Sequence, residues 1–467
     1  MPTRQTPPHL AVLPLYLELY DRVIPHALAR QERFLAEMAA RLASSGLEVT
    51  TLPVCRRAEQ VAEAVARAES VRADGIVTLH LAYSPSLEAA PALTETRLPV
   101  LMLDTTPGVR FDLTACVDDV LANHGIHGVQ DLANVLRRRG KAYWVAAGPA
   151  EDPALLHTVR EWASAAQAAR LLRRTRVARI GPAFAGMGDF DVSPHFLHDV
   201  VGPETVEIGV EEVGRQTQRV TAEEVAAEGA ADRAAFDCQA GSEASHDRSN
   251  RTGIGLRRAL EEAGATAFSM NFAAFDRALG VETVPFLEAS KAMARGLGYA
   301  GEGDVLTASL VRALNACYGP TTFTEMFCRD WEGGRVFMSH MGECNPELAV
   351  GRPLLQEKQY AYSPVESPAV LVFPLQPGPA ALVNLAPTGE RAVTLIVAEV
   401  SIEEMGLAPA LRDSPHFWLR PAAPSLAHFL ARYSEEGGTH HLALTPGATI
   451  AGLRPLAEMM GWGLRVV

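Results

Sequence analysis

Short apolar runs alternate with longer amphipathic stretches over the first third of the chain. "HLAVLPLYL" predicts a strand, and the segment around "ALARQERFLAEMAARLASSG" predicts a helix ended by Gly46. "EVTTLPV", "GIVTLHL" and "PVLMLDTT" read as further strands, with "AEQVAEAVARAESVR" helical between the first two. "DLANVLRRRG" follows as a helix closed by a glycine, and "KAYWVAAG" as a strand. Strands alternating with helices build βαβ units and parallel sheets covered on both faces.

A long helical stretch, "ALLHTVREWASAAQAARLLRRT", leads into "VARIG", which opens a second α/β region. That region holds "EASHDRSNRTGIGLRRALEEAG", "ATAFSMNF" and the turn "GYAGEGDVLTAS". Beyond about residue 321, Pro and Gly rise, helical periodicity fades, and short β-like runs follow: "AVLVFPL", "AALVNLAP" and "AVTLIVAEV". The expected fold is α/β. Two doubly wound domains with parallel sheets, residues 1–170 and 171–320, precede a mainly β domain, residues 321–467.

Composition narrows the function. The chain has 467 residues, 48% of them hydrophobic and 21% charged, as in ordinary globular proteins of two or three domains. Its formal net charge of -13 argues against a nucleic-acid or anionic-membrane partner, since both need a basic face. "RLLRRTR" accordingly reads as a solvated helix end. No apolar run approaches the roughly 20 residues of a membrane helix. The opening "MPTRQTPPHLAVLPLYL" reads as a first strand rather than a leader peptide. Six cysteines without a CxxC pair point to reduced cytoplasmic thiols and away from a cysteine zinc site. "RTGIGL" lacks the full G-x-G-x-x-G of a nucleotide-binding turn, and no G-x-S-x-G elbow is present.

A few polar residues need a reason. In "GYAGEGDVLTAS", Asp304 suits a helix cap, because its carboxylate can accept backbone N–H bonds at the positive end of the helix dipole. Glu302, on the same glycine-rich turn, is left without such a role. "PTTFTEMFCRDW" sets Glu325 among aromatic and apolar residues, where a carboxylate is costly unless paired or bound to a cation. "RVFMSHMGECNPELA" places His340 after a strand-like run, and "EEGGTHHLALTPG" places His440 and His441 after paired glycines. Each has a plain alternative: an ion pair for the glutamate, a surface or satisfied core position for the histidines. Taken together, two carboxylates and two imidazoles at element ends suit Mn²⁺, or less selectively Co²⁺ or Mg²⁺.

The blocks "GYAGEGDVLTAS", "TTFTEMF", "SHMGECNPELA" and "GGTHHLAL" occur in the order of motifs of the L-arabinose isomerase family, to which the L-fucose isomerases are structurally related. "NHGIHGVQDLANVLRR" resembles that family's histidine-glycine segment, and "LAYSPS" its aromatic-Ser-Pro turn. The resemblance implies Glu302, Glu325, His340 and His441 as Mn²⁺ ligands, with His440 a neighbour that contacts substrate. It makes the two glutamates the acid–base pair of an enediol mechanism. Tyr83, Met187 and Phe272 fall at apolar substrate contacts, and His127 at a histidine that reaches a neighbouring subunit's active site. The implied fold is two α/β domains followed by a barrel-like β domain, assembled as trimers or hexamers with active sites at subunit interfaces.

The expected activity is therefore that of a cytoplasmic, metal-dependent aldose–ketose isomerase, an intramolecular oxidoreductase acting on a pentose, hexose or deoxy sugar. Departures fall at the substrate end. Leu17 stands where the family has a glutamine, Gly148-Pro149 replaces a Gly-His pair, and the sequence ends with "GWGLRVV", short of the family's tail. An epimerase or lyase on the same metal site, or a non-catalytic sugar-binding protein, are the alternatives.

Overall fold

The computed structural model describes residues 6–467, and the chain in it forms two compact units, Pro7–Arg170 and Leu171–Val467. The expected first strand is His9–Leu15. Residues 1–5, part of the stretch weighed as a leader, lie outside the described residues.

In the first unit five parallel strands are ordered Glu48–Thr51, His9–Leu15, Gly75–His80, Val100–Asp104 and Trp144–Ala147. The order reverses between the strands His9–Leu15 and Gly75–His80, as in doubly wound sheets. Both strands are almost wholly buried, which is why their apolar runs are continuous rather than alternating. The helices Ala27–Ser44, Ala58–Ser70 and Ile126–Arg138 bury the 3.6-residue stripe read from the sequence, for example Phe34, Leu35, Met38 and Leu42 on the first.

The second unit begins with another parallel sheet, in the order Gly298–Gly301, Ala267–Met270, Arg176–Ile180, Glu204–Ile208. It continues into a seven-stranded sheet ordered Gly378–Gly389, His441–Thr445, Thr322–Asp330, Arg335–Ser339, His416–Pro421, Ala392–Ile402, Gly463–Val466. The first and sixth of these strands also pair with each other, so six strands close into a barrel, and the seventh pairs parallel with the sixth. Closure removes the exposed edges that an open sheet of this size would present. The α/β class and the mainly β C-terminal region are thus as the residue pattern predicts.

Two helices interrupt that β region against expectation, Leu426–Glu435 and Ile450–Met460. Each is short, with few turns over which periodicity can show, and the second contains Pro455. Both are started by a side-chain cap: Ser425 accepts from the His428 N–H and Thr449 from the Gly452 N–H. They bury Leu426, Phe429 and Tyr433, and Leu453, Leu456 and Ala457. No helix among the described residues is long and apolar enough to cross a membrane.

Candidate metal centre

Strand register assembles one side of the site. Within the barrel, Thr322–Asp330 lies between the other two strands that carry candidates. Glu325 stands opposite His441 on one side and opposite Ser339 on the other, and His340 directly follows Ser339. Three candidates far apart in sequence are therefore neighbours through ladder hydrogen bonds alone.

Glu302 comes from the parallel sheet. It follows the strand Gly298–Gly301 with φ +64°, a left-handed conformation rare for a residue with a side chain. Backbone bonds on both sides hold it: its N–H donates to Met270 O at 2.8 Å, and its carbonyl accepts from the Phe184 N–H at 2.9 Å. The flanking glycines have a spatial reason. A Cβ at Gly303 would come within 2.6 Å of Ala183 Cα, and one at Gly301 within 2.9 Å of His340 Cε1. Strained backbone of this kind persists where the surroundings fix it, and it gathers at functional sites.

One ligand atom from each of Glu302, Glu325, His440 and His441 lies within 4.8 Å of the others. His441 Nε2 is 2.9 Å from Glu325 Oε1 and 3.2 Å from Glu302 Oε2. His440 Nε2 stands further off, 3.8 Å from Glu302 Oε2 and 3.9 Å from Glu325 Oε1. His340 Nε2 is 3.6 Å from Glu325 Oε1, so His340 borders the same group.

Each histidine is held from behind by a carboxylate. Asp304 Oδ2 pairs with His441 Nδ1 at 2.9 Å, while its Oδ1 accepts the Thr307 N–H at 2.8 Å. The cap expected at Asp304 is real, and the same side chain also orients His441. Glu343 Oε2 pairs with His340 Nδ1 at 2.7 Å, and its other oxygen accepts from the Tyr299 hydroxyl. Asp189 Oδ2 pairs with His440 Nδ1 at 2.7 Å. Phe190 stacks on His441 with centroids 4.7 Å apart and planes 7° from parallel, and Phe323 meets His340 and His441 edge-on. Glu343 follows His340 by three residues and Asp189 follows Met187 by two, which is all the sequence offers toward finding them.

The other candidates distribute as follows. Met187 is half-buried on the Pro182–Phe190 loop, its N–H bonded to Phe184 O at 3.2 Å. Phe272 packs with Phe184, Tyr360 and Tyr362. Tyr83 and His127 belong to the first unit. There the Tyr83 hydroxyl donates to Asp131 at 3.4 Å, and the His124 ring bridges Tyr83 and His127 at 6.5 and 4.4 Å. Leu17 is the residue before the short helix Glu18–Val23.

Residues 199–318 match the L-arabinose isomerase central domain and residues 320–463 the L-arabinose isomerase C-terminal domain, together more than half of the chain. The chain belongs to the L-arabinose isomerase family. It is 29% identical over 96% of its length to an L-arabinose isomerase of Nocardioides sp., of which the match covers 90%. It is 28% identical over 90% of its length to that of Bacillus subtilis, covering 86%, and 27% identical over 96% to that of Acidothermus cellulolyticus, covering 91%. Members of the family are sugar isomerases, that is, intramolecular oxidoreductases.

The electrostatics of this isomerase-family site are those of a cation cradle. Burial alone would push the Glu302 carboxyl up, but His440, His441 and His340 hold it well below its usual range. Glu325 is buried too and is likewise held low by His340 and His441. His441 and His340 are raised against the opposing effect of burial, the first by Asp304, Glu302 and Glu325, the second by Glu343 and Glu325. His440 is raised to about 9 by Asp189 first and Glu302 second. The carboxylates therefore need positive charge among them, and among the described residues imidazole rings supply it. Two atoms aimed into the group, Glu302 Oε2 and His441 Nε2, are buried without a hydrogen-bond partner: they sit at ion-pair distance from each other but not in hydrogen-bond geometry. Converging oxygen and imidazole donors of this kind could hold a divalent cation: Glu302, Glu325, His440 and His441 form the group, and His340 stands beside it.

Proposed function

We propose that this protein is a divalent-metal-dependent aldose–ketose isomerase that works through an enediol, with L-arabinose, the sugar in its relatives' names, the first substrate to test. The observation that carries the reading is the convergence of two carboxylates with a buried imidazole nitrogen that makes no hydrogen bond, at the end of the barrel. Manganese suits the mixed oxygen and nitrogen donors, with cobalt or magnesium as substitutes. When bound, the cation polarises the sugar carbonyl and stabilises negative charge on the adjacent oxygens.

The residues then have distinct tasks. Isomerisation moves a proton between C2 and C1 while the carbonyl passes from C1 to C2. One carboxylate of the Glu302–Glu325 pair removes the C–H proton and returns it to the neighbouring carbon. The other passes the hydroxyl proton between O2 and O1, so no proton is lost overall. The positive charge gathered around Glu302 and Glu325, from the imidazoles or from a cation that takes their place, keeps both groups ionised, so the base is unprotonated at neutral pH. His340 and His441, oriented by Glu343 and Asp304, hold the cation. Tyr83, Met187 and Phe272 contact the sugar, and His127 is supplied by a neighbouring subunit of a trimer or hexamer. Residues 1–170, 171–320 and 321–467 act as three domains of this cytoplasmic enzyme.

A ketose-formation screen against pentoses, hexoses and 6-deoxyhexoses tests the reading, run with Mn²⁺ and after chelation, with metal content measured in the same samples. Metal-dependent ketose formation is the expected result. Bound metal without isomerisation would replace the reading with an epimerase or lyase. Neither metal nor turnover would leave a sugar-binding relative of the isomerases.

A further inference from the structure

Adjacent histidines, His440 and His441, are each backed by an aspartate, yet the two pairs sit in different surroundings. His441 and Asp304 are fully buried. The side chains of His440 and Asp189 are 40% and 37% exposed, and both line a cavity of about 440 Å³ with Phe327, Thr439 and Tyr433. Asp189 Oδ2 makes a double grip, accepting the His440 backbone N–H at 2.9 Å and pairing with its Nδ1 at 2.7 Å. With Nδ1 held, the ring can only turn Nε2 toward Glu302 and Glu325, and it stops 3.8–3.9 Å short of both. The loop bearing Asp189 is itself anchored to the site, through the Phe184 N–H on Glu302 O and the Phe190 ring on His441.

We infer that Asp189 is a positioning residue that fixes His440 as a substrate-facing group beside the metal-holding residues rather than as one of them. Three observations favour this division over a symmetrical pair of ligands. His440 is the exposed histidine of the two, at 40% against 0% for His441. Its Nε2 is the more distant of the two from both carboxylates. Its partner is half-exposed, where a metal ligand's orienting carboxylate is usually sequestered, as Asp304 is. The inference deepens the isomerase reading and rests on it.

Three variants separate the roles: Asp189→Ala, Asp189→Asn and Asp304→Asn. Asparagine at 189 keeps an oxygen for both His440 bonds, and asparagine at 304 keeps the Thr307 cap. Mn²⁺ affinity is measured by calorimetry, KM and kcat on the best sugar, and the His440 ring orientation in a crystal structure of D189A. The expected result for D189A is about a tenfold loss in kcat/KM, carried mainly by KM, with Mn²⁺ affinity within about twofold of the parent. D189N recovers most of that loss, whereas D304N weakens Mn²⁺ about 10–100-fold. A D189A protein that loses Mn²⁺ affinity as D304N does overturns the inference, as does one with unchanged kinetics, or a D189N no better than D189A. If the parent protein turns over no sugar, the isomerase reading falls by itself. The ring then still decides: His440 rotated away in D189A supports positioning, and His440 unmoved overturns it.

Discussion

Helices Ala222–Ala235, Glu243–Glu262 and Phe286–Ala294 gather Glu228, Asp232, His246, Arg257, Glu288 and Lys291, while the barrel end gathers Glu302, Glu325, His340 and His441. In the helical group every carboxylate meets a fixed cation. Arg257 bridges Glu228 and Glu288 at 2.9 Å each, Arg295 also pairs with Glu288, and Lys291 pairs with Glu228 and with Asp232, 2.8 Å from the latter. His246 closes the group on Asp232 at 2.8 Å. At the barrel end the ion-pair partners are histidines, whose charge can be lost by releasing a proton or exchanged for that of a metal. Burial of ionisable groups alone does not mark a site. What distinguishes the second group is that its balancing charge is replaceable and two of its inward atoms, Glu302 Oε2 and His441 Nε2, are buried without a hydrogen bond.

If the contrast holds, substitutions in the two groups should fail in different currencies. The largest effect is expected at the barrel. Glu325→Gln should lower kcat by on the order of 10³ to 10⁴, the range for losing a general acid or base, while the thermal midpoint stays near that of the parent. Appreciable turnover by E325Q would remove the acid–base role. Glu288→Ala should do the reverse. It leaves Arg257 and Arg295 without a shared buried partner, and breaking such a pair costs about 3–5 kcal/mol in a urea titration. Mn²⁺ affinity of the folded E288A protein should match the parent; a weakened affinity would mean the two regions are coupled and the comparison is too simple.

Metal addition sharpens the contrast from the other side. At a free Mn²⁺ concentration about 100 times its Kd, the folded state should gain about 2.7 kcal/mol, seen as a raised thermal midpoint that a chelator reverses. Glu302→Gln should abolish that gain, and Glu288→Gln should keep it. A gain that survives in E302Q would place the cation elsewhere.

Much of this was legible in the sequence and part was not, for identifiable reasons. The strands of the first unit could be read because parallel strands buried on both faces are continuous apolar runs between glycines. Glu302 and Asp304 stood out because acids on a glycine-rich turn have few structural uses. Register could not be read: nothing local says that Glu325 faces His441 across one ladder and Ser339 across the other. The carboxylates behind the histidines were hidden for the same reason. Asp189 is 251 residues from His440, and Asp304 is 137 from His441. The helical charge network left no signal at all, since each member looks like an ordinary polar helix position until the three helices pack.

The smallest expected effect concerns that network and the proton. Burial opposes ionisation of Glu228, but the Arg257 hydrogen bond and the Lys291 charge outweigh it and bring the carboxyl from 4.5 down to about 2. Asp232, also opposed by burial, is lowered in the same direction by His246 and Lys291. A folded-state value below the unfolded one means that the unfolded chain takes up the proton first as the pH falls. The stability that Glu228 contributes is therefore whole above about pH 4.5 and is lost between there and about pH 2. Urea midpoints of chelator-treated parent and Glu228→Gln proteins, taken from pH 7 down to pH 3, read this directly. E228Q should be the less stable at pH 7, and the gap should narrow steadily below pH 4.5, because the parent comes to carry the neutral group that the variant always has. A gap that stays constant with pH would mean that the glutamate contributes shape rather than charge. The helical network would then no longer be the self-balanced counterpart of the barrel site.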